Sequence, residues 1–248
     1  GRVMTPTLAL IVQREAEIAA FRPVPFYNVV LAMNDFTVMS ERMDHKEDAE
    51  RLQTACMDAS VIVKKVESKE KHENPPALYD LTTLQRDANR LLGYTAQQTL
   101  DYVQSLYEKK LCTYPRTDSR YLTDDMADGL PVLVYAVAKV MPFAKGVSIT
   151  AEVQQVINDG KVTDHHAIIP TMTLKDADFD DLPAGERSIL YLISARLLCA
   201  IGQKHHYAEI TTTVECAGTE FTAKGRSELH PGWRTLDTVC KAMLKGKA

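Results

Sequence analysis

The chain has 248 residues, of which 45% are hydrophobic and 25% charged. That composition is globular, long enough for one large or two small domains and too apolar for intrinsic disorder. No run of about 18 apolar residues occurs, so no membrane span is expected. The net charge of −4 neither demands nor forbids a nucleic-acid partner, and local distribution matters more. Residues 176–186 carry Asp176, Asp178, Asp180, Asp181 and Glu186. The tail carries Lys224, Arg226, Arg234, Lys241, Lys245 and Lys247. Cys56, Cys112, Cys199, Cys216 and Cys240 are widely spaced, odd in number and form no CxxC pair. A disulfide framework or cysteine zinc site is therefore not expected, and a reducing cytoplasm is. No signal peptide is visible. Residue 1 is Gly, which suggests a piece of something longer.

In chain order, Leu8, Ile11, Val12 and Ile18 recur at helical spacing, with Thr5 as the expected cap and Pro6 at the first helical position. Pro23 and Pro25 end this helix. Strands are predicted over 26–32 and 36–40 around a turn at Asn34-Asp35. Residues 44–59 read as a helix and 61–66 as a strand. The polar stretch 67–76, closed by two prolines, reads as a linker. Thr82 or Thr83 is then expected to cap a helix that ends near Gly93. Thr95-Ala96-Gln97-Gln98 is a capping-box pattern, followed by an expected buried stripe of Leu100, Val103, Leu106 and Tyr107. Further helices are predicted from Thr123 and over 186–201. Strands 207–216 and 219–224 follow, joined by a turn at Ala217-Gly218.

The order β-rich, helical, β-rich predicts an α+β, multidomain fold. A mainly helical domain over 77–202 is inserted into a β-rich domain built from 23–76 and 203–248, with residues 1–22 as a separate helix.

The segment Leu111-Cys112-Thr113-Tyr114-Pro115-Arg116-Thr117-Asp118-Ser119-Arg120-Tyr121 is the most unusual. Pro115 pushes Tyr114 into an extended conformation, where Arg116 shares its face. A tyrosine with a pKa near 10 is a poor nucleophile unless its oxyanion is stabilised. A guanidinium supplies such stabilisation and grips two phosphate oxygens. Asp118 is placed to hold Arg116. The competing reading is a surface turn with an aromatic anchor and a structural ion pair.

A second segment is Thr163-Asp164-His165-His166-Ala167-Ile168-Ile169-Pro170-Thr171. No matching Cys or His spacing supports a metal site. One imidazole would donate to a phosphate or move a proton. The alternative is an exposed helix start capped by Asp164. Lys109 and Lys110 either meet DNA or simply favour a helix dipole. Trp233 stacks on a base or sits in a core, and His205-His206 is structural.

Together these segments resemble the type IA DNA topoisomerases. Tyr114-Pro115-Arg116-Thr117-Asp118-Ser119 is similar to that family's active-site tyrosine motif. Residues 163–171 are similar to its His-x-Ala-Ile-x-Pro-Ser/Thr motif. Three other stretches fall in the family's order: Gly1-Arg2-Val3-Met4-Thr5-Pro6-Thr7-Leu8; Pro75-Pro76 with Leu81, Leu84-Gln85, Ala88-Asn89 and Gly93-Tyr94; and Gly225 with Gly232-Trp233. The proline after the tyrosine points to the topoisomerase III branch.

The resemblance implies a β-rich gate (arch) domain with an inserted helical domain that carries the tyrosine. Residues 1–22 would be a helix of the domain that links a Toprim domain to the gate. It also implies that Tyr114 attacks single-stranded DNA to give a 5′-phosphotyrosine, without ATP, while a second strand passes. Arg116 and His165 would be catalytic, and Asp118, Thr117 and Ser119 supporting. Arg2, Arg120, Lys109 and Lys110 would contact DNA. Mg2+ would bind to a Toprim domain that these residues do not include, so this piece would hold no metal and would be inactive alone. The expected molecule is a cytoplasmic monomer without a membrane partner. The alternative is a non-catalytic single-stranded DNA-binding gate module.

Overall fold

The structure, a computed structural model, describes residues 1–149 and 151–246; Lys247 of the basic tail lies outside them. In chain order the elements are α1 (Met4–Ala20), β1 (Val30–Ala32), β2 (Thr37–Ser40), α2 (Lys46–Cys56), β3 (Ile62–Glu73), α3 (Leu81–Leu92), α4 (Ala96–Glu108), α5 (Leu130–Val140), α6 (Ala184–Ala200), β4 (His205–Cys216), β5 (Thr219–His230) and α7 (Arg234–Leu244), with short 3-10 turns between. The fold is α+β, with a five-stranded sheet in the order β1-β2-β5-β4-β3. Pairing is antiparallel for β1–β2, where Val30 faces Met39, and for β2–β5, where Met39 faces Thr222. None of the described helices is long and apolar enough to cross a membrane.

The chain divides into two compact units, Gly1–Lys69 with Glu209–Gly225, and Glu70–Ala208 with Arg226–Ala248. In the first, Val29, Val38, Ala49, Val214, Cys216 and Phe221 form a small core. Helix α1 adds no buried residue to it, and its stripe of Leu8, Ile11, Val12 and Ile18 is exposed. The N-cap of α1 is Val3, not Thr5. Pro6 therefore sits within the first turn, where the N–H has no helical partner to lose.

One sequence expectation fails along the sheet. The supposed linker at 67–76 is strand as far as Glu73. Its side chains are mostly exposed, so polar residues cost nothing there, and the backbone ladder sets the structure. Ion pairs decorate it, Lys64 with Glu215 at 2.9 Å and His206 with Glu70 at 3.1 Å. The turn between β4 and β5 does fall at Ala217-Gly218, with φ of 49° and 75°. Two positive φ values are what a tight hairpin of this twist requires.

The second unit is built on α6, of which eleven residues are buried, from Glu186 to Ala200. Ile189, Leu190, Ile193, Leu197 and Leu198 are among them, as their spacing predicts. Leu192, Ala195 and Cys199 on other faces are buried too, because α3, α4, α5 and α7 all pack against α6 or its neighbours. Helix α7 buries Leu236 and Cys240 in this helical core, although the sequence pattern groups residues 203–248 with the strands. The α3 cap is Asp80, which accepts from the Thr83 amide at 2.6 Å. Thr83 is the third residue of the capping box rather than the cap. Gly93 closes α3 at φ 75°, and Thr95 with Gln98 forms the expected capping box of α4.

Candidate active site

Helix α4 ends in a way that sets up the site. Lys110 adopts a left-handed φ of 61°. Its amide donates to the Tyr107 carbonyl at 2.8 Å, and the Leu111 amide donates to the Leu106 carbonyl at 2.8 Å. This pair of bonds is a Schellman stop, with buried Leu106 and Leu111 as its apolar clasp. The chain then leaves α4 extended. Tyr114 is half-buried; Pro115, Thr117 and Ser119 are buried; Arg116 and Asp118 are exposed. Exposure thus alternates along the segment, and the Thr117 amide donates to the Pro115 carbonyl at 3.0 Å, a tight turn across Arg116.

The buried alternates tie this segment to the histidine motif. The Thr113 amide donates to the Ile169 carbonyl at 2.9 Å. The Thr113 hydroxyl donates to the Ala167 carbonyl and accepts from the Ile169 amide, both at 3.0 Å. The Thr117 hydroxyl donates to the His165 carbonyl at 2.8 Å and accepts from the Ser119 amide at 3.1 Å. Ser119 in turn donates to the Lys161 carbonyl at 2.8 Å. A third strand-like segment completes the arrangement: the Ile168 amide donates to the Tyr79 carbonyl at 2.8 Å, and the Leu81 amide to the Thr117 carbonyl at 3.1 Å. The competing reading, a helix start at His165 capped by Asp164, does not hold: residues 163–165 form a bend, and Ile168 and Pro170 bridge to Tyr79 and Cys112.

These ties bring the Tyr114 and His165 rings to 4.5 Å between centroids, tilted by 53°. The Tyr107 ring meets Tyr114 edge-on at 5.3 Å. His166 turns away, with Nδ1 2.9 Å from the Ala167 carbonyl. Asp118 does not hold Arg116. It accepts from the Thr163 hydroxyl at 3.3 Å, while Arg116 has no side-chain partner among the described residues. The Arg116 guanidinium is thus open, two residues along the chain from the phenol.

The other proposed DNA contacts divide. Lys109 is engaged by Glu186, which is only 7% exposed and also accepts from the Ser105 hydroxyl at 2.9 Å. Arg120 turns inward, its Nε donating to the Leu78 carbonyl at 3.1 Å. Lys110 is exposed and its ammonium has no ion pair among the described residues. Arg2 is exposed in the first unit. Trp233 is part-buried against the helical core, with Nε1 donating to the Glu73 carbonyl at 3.4 Å. Among the described residues no group of three or more His, Cys, Asp or Glu has metal-binding geometry.

Sequence reasoning misses the support behind the site. The Tyr79 hydroxyl donates to Asp87 at 2.8 Å, Arg196 bonds both, and its guanidinium lies 4.1 Å over the Tyr79 ring. Burial pushes the Tyr79 phenol well above its ordinary pKa, so it remains a donor. A charge in the apolar run Ile193–Ile201 is the available signal, since a buried guanidinium requires a partner.

Comparison with known proteins gives the class. A family model described as DNA topoisomerase matches residues 1–245, and the chain belongs to that family. Among named relatives, DNA topoisomerase 3 of Bacillus subtilis (strain 168) is 38% identical over 249 residues, covering 95% of this chain and 34% of that protein. DNA topoisomerase 3 of Shouchella clausii is 37% identical over 254 residues, covering 96% and 34%. The chain therefore spans about a third of the length of these relatives. The solved full-length topoisomerase I from Thermotoga maritima shares the fold, with a TM-score of 0.72 at 24% identity over 95% of this chain and 40% of that one.

Proposed function

We propose that this chain carries the DNA-cleaving tyrosine of a type IA topoisomerase of the topoisomerase 3 kind, and that Tyr114 is the nucleophile toward single-stranded DNA. The observation that carries this reading is the placement of the Tyr114 ring 4.5 Å from His165, with an exposed and unpartnered Arg116 two residues along the chain. The Tyr114 oxygen forms a bond to phosphorus as the bond to the 3′ oxygen breaks, leaving a 5′-phosphotyrosine and a free 3′-hydroxyl. One phosphoester replaces another, so no ATP is consumed, and the reverse attack reseals the strand after passage of a second one. Arg116 neutralises charge on the five-coordinate phosphorus. His165 faces the phosphate or moves the proton. Thr117 and Ser119 hold the segment, and Asp118 orients neighbouring polar groups. Lys110 and Arg2 meet the backbone of the strand.

In this reading Mg2+ belongs to parts of the longer enzyme outside the present residues, which is why these residues alone bind single-stranded DNA without cutting it. The test uses an end-labelled single-stranded oligonucleotide, followed by denaturation. The longer enzyme is expected to trap a covalent adduct, and Tyr114→Phe to abolish it. Arg116→Ala should lower cleavage about 100-fold or more. The isolated chain should show salt-sensitive binding and no adduct. An adduct that survives Tyr114→Phe would overturn the nucleophile. Efficient nicking by the isolated chain would overturn its dependence on the rest of the enzyme.

A further inference from the structure

We infer that Tyr107 is a positioning residue for Tyr114. Its ring selects the Tyr114 side-chain orientation from which the phenol reaches a phosphate. This rests on Tyr114 being the nucleophile.

Tyr114 sits on an extended segment, where more than one χ1 rotamer is open to a side chain. The bonds of neighbouring Thr113 and Thr117 therefore place its Cα without deciding where the phenol points. Two rings meet it, that of His165 at 4.5 Å and that of Tyr107 at 5.3 Å and 74°. His165 belongs to an irregular segment. Tyr107 belongs to the last turn of α4, and that turn is anchored three ways. The Schellman bonds close it, the Tyr107 carbonyl being one acceptor. Ser105 and Lys109, on either side of Tyr107 in the chain, both bond the buried Glu186. Leu106 is fully buried beside it.

Edge-to-face contact at this spacing is the favoured geometry for two aromatic rings. Tyr107 itself remains 39% exposed, more than core packing explains for a residue flanked by buried Val103 and Leu106. It is the contact on Tyr114 that comes from a rigid helix, and reactive groups held by rigid elements keep their geometry best. A small misplacement of a reacting atom is costly in rate.

The test has two arms. In the isolated chain, NMR χ1 couplings of Tyr114 are expected to report one rotamer in the wild type and in Tyr107→Phe, and averaging in Tyr107→Leu. Tyr107→Met, equally helix-forming, is read in parallel so that the result does not hang on one substitution. In the longer enzyme, single-turnover cleavage should fall about tenfold in Tyr107→Leu and Tyr107→Met, the scale of one lost aromatic pair. Oligonucleotide affinity should stay within about twofold, and Tyr107→Phe should cleave normally. A single Tyr114 rotamer with normal cleavage in both aliphatic variants overturns the positioning role. If Tyr114→Phe still abolishes the adduct in that case, the nucleophile assignment stands by itself.

Discussion

The Thr117 hydroxyl donates to the carbonyl of His165 at 2.8 Å across 48 residues of sequence. This bond joins the tyrosine and histidine motifs through a buried residue of the segment that carries Tyr114 and Arg116. Thr117→Val keeps the shape and removes the hydroxyl, leaving the His165 carbonyl and the Ser119 amide without this partner. A loss of about 2 kcal/mol is expected in urea unfolding. Thr117→Ser should restore most of it. In the longer enzyme the valine variant should also lose cleavage.

Adjacent lysines should behave in opposite ways. Lys109→Met removes the partner of a buried carboxylate, so stability should drop by about 2–3 kcal/mol while single-stranded DNA affinity stays the same. Lys110→Gly relieves a left-handed backbone at a non-glycine residue and should raise stability by about 0.5–1 kcal/mol. The same change should weaken DNA binding and reduce the salt slope by about 0.7. Denaturant melts and salt-titrated binding on both variants check this.

Gly232 has a φ of +55°, and a Cβ added there would lie 2.6 Å from the Gln203 carbonyl oxygen. Backbone rather than a movable side chain blocks the space. Gly232→Ala is therefore expected to destabilise the second unit by about 3 kcal/mol, read as a lower thermal midpoint.

Burial pushes the thiols of Cys112, Cys199 and Cys240 up to about 12, against an ordinary value of 9.0. A thiol pKa raised by folding contributes its full stability only below the unfolded value. Stability should thus be flat up to about pH 9 and decline as pH rises from there toward 12. At pH 8 a thiol reagent should leave these three unmodified in the native protein and label all five cysteines after unfolding. Labelling of Cys112 without unfolding would contradict its burial.

The local parts of this fold are legible in the amino-acid sequence. The Thr95–Gln98 capping box, the Gly93 stop and the Ala217-Gly218 turn all depend on bonds within a few residues. Where the sequence misleads, solvent exposure or a distant partner is decisive. Residues 67–73 resemble a linker because the polarity of an exposed strand is the same as that of a loop. The internal partners of Lys109 and Arg120 are hidden because basic side chains near a motif carry no sign of what lies opposite them.

From the residues alone come the α+β class, the family and the pair of motifs that the fold brings together. Tertiary structure decides which cations remain open. Glu186 reaches Lys109 across 77 residues and the Leu78 carbonyl takes Arg120 across 42, while Arg116 is left outward. Short-range rules of backbone and periodicity act within a turn or two of chain. The choice of partner for a charge is made by packing, which brings together groups that no local pattern relates.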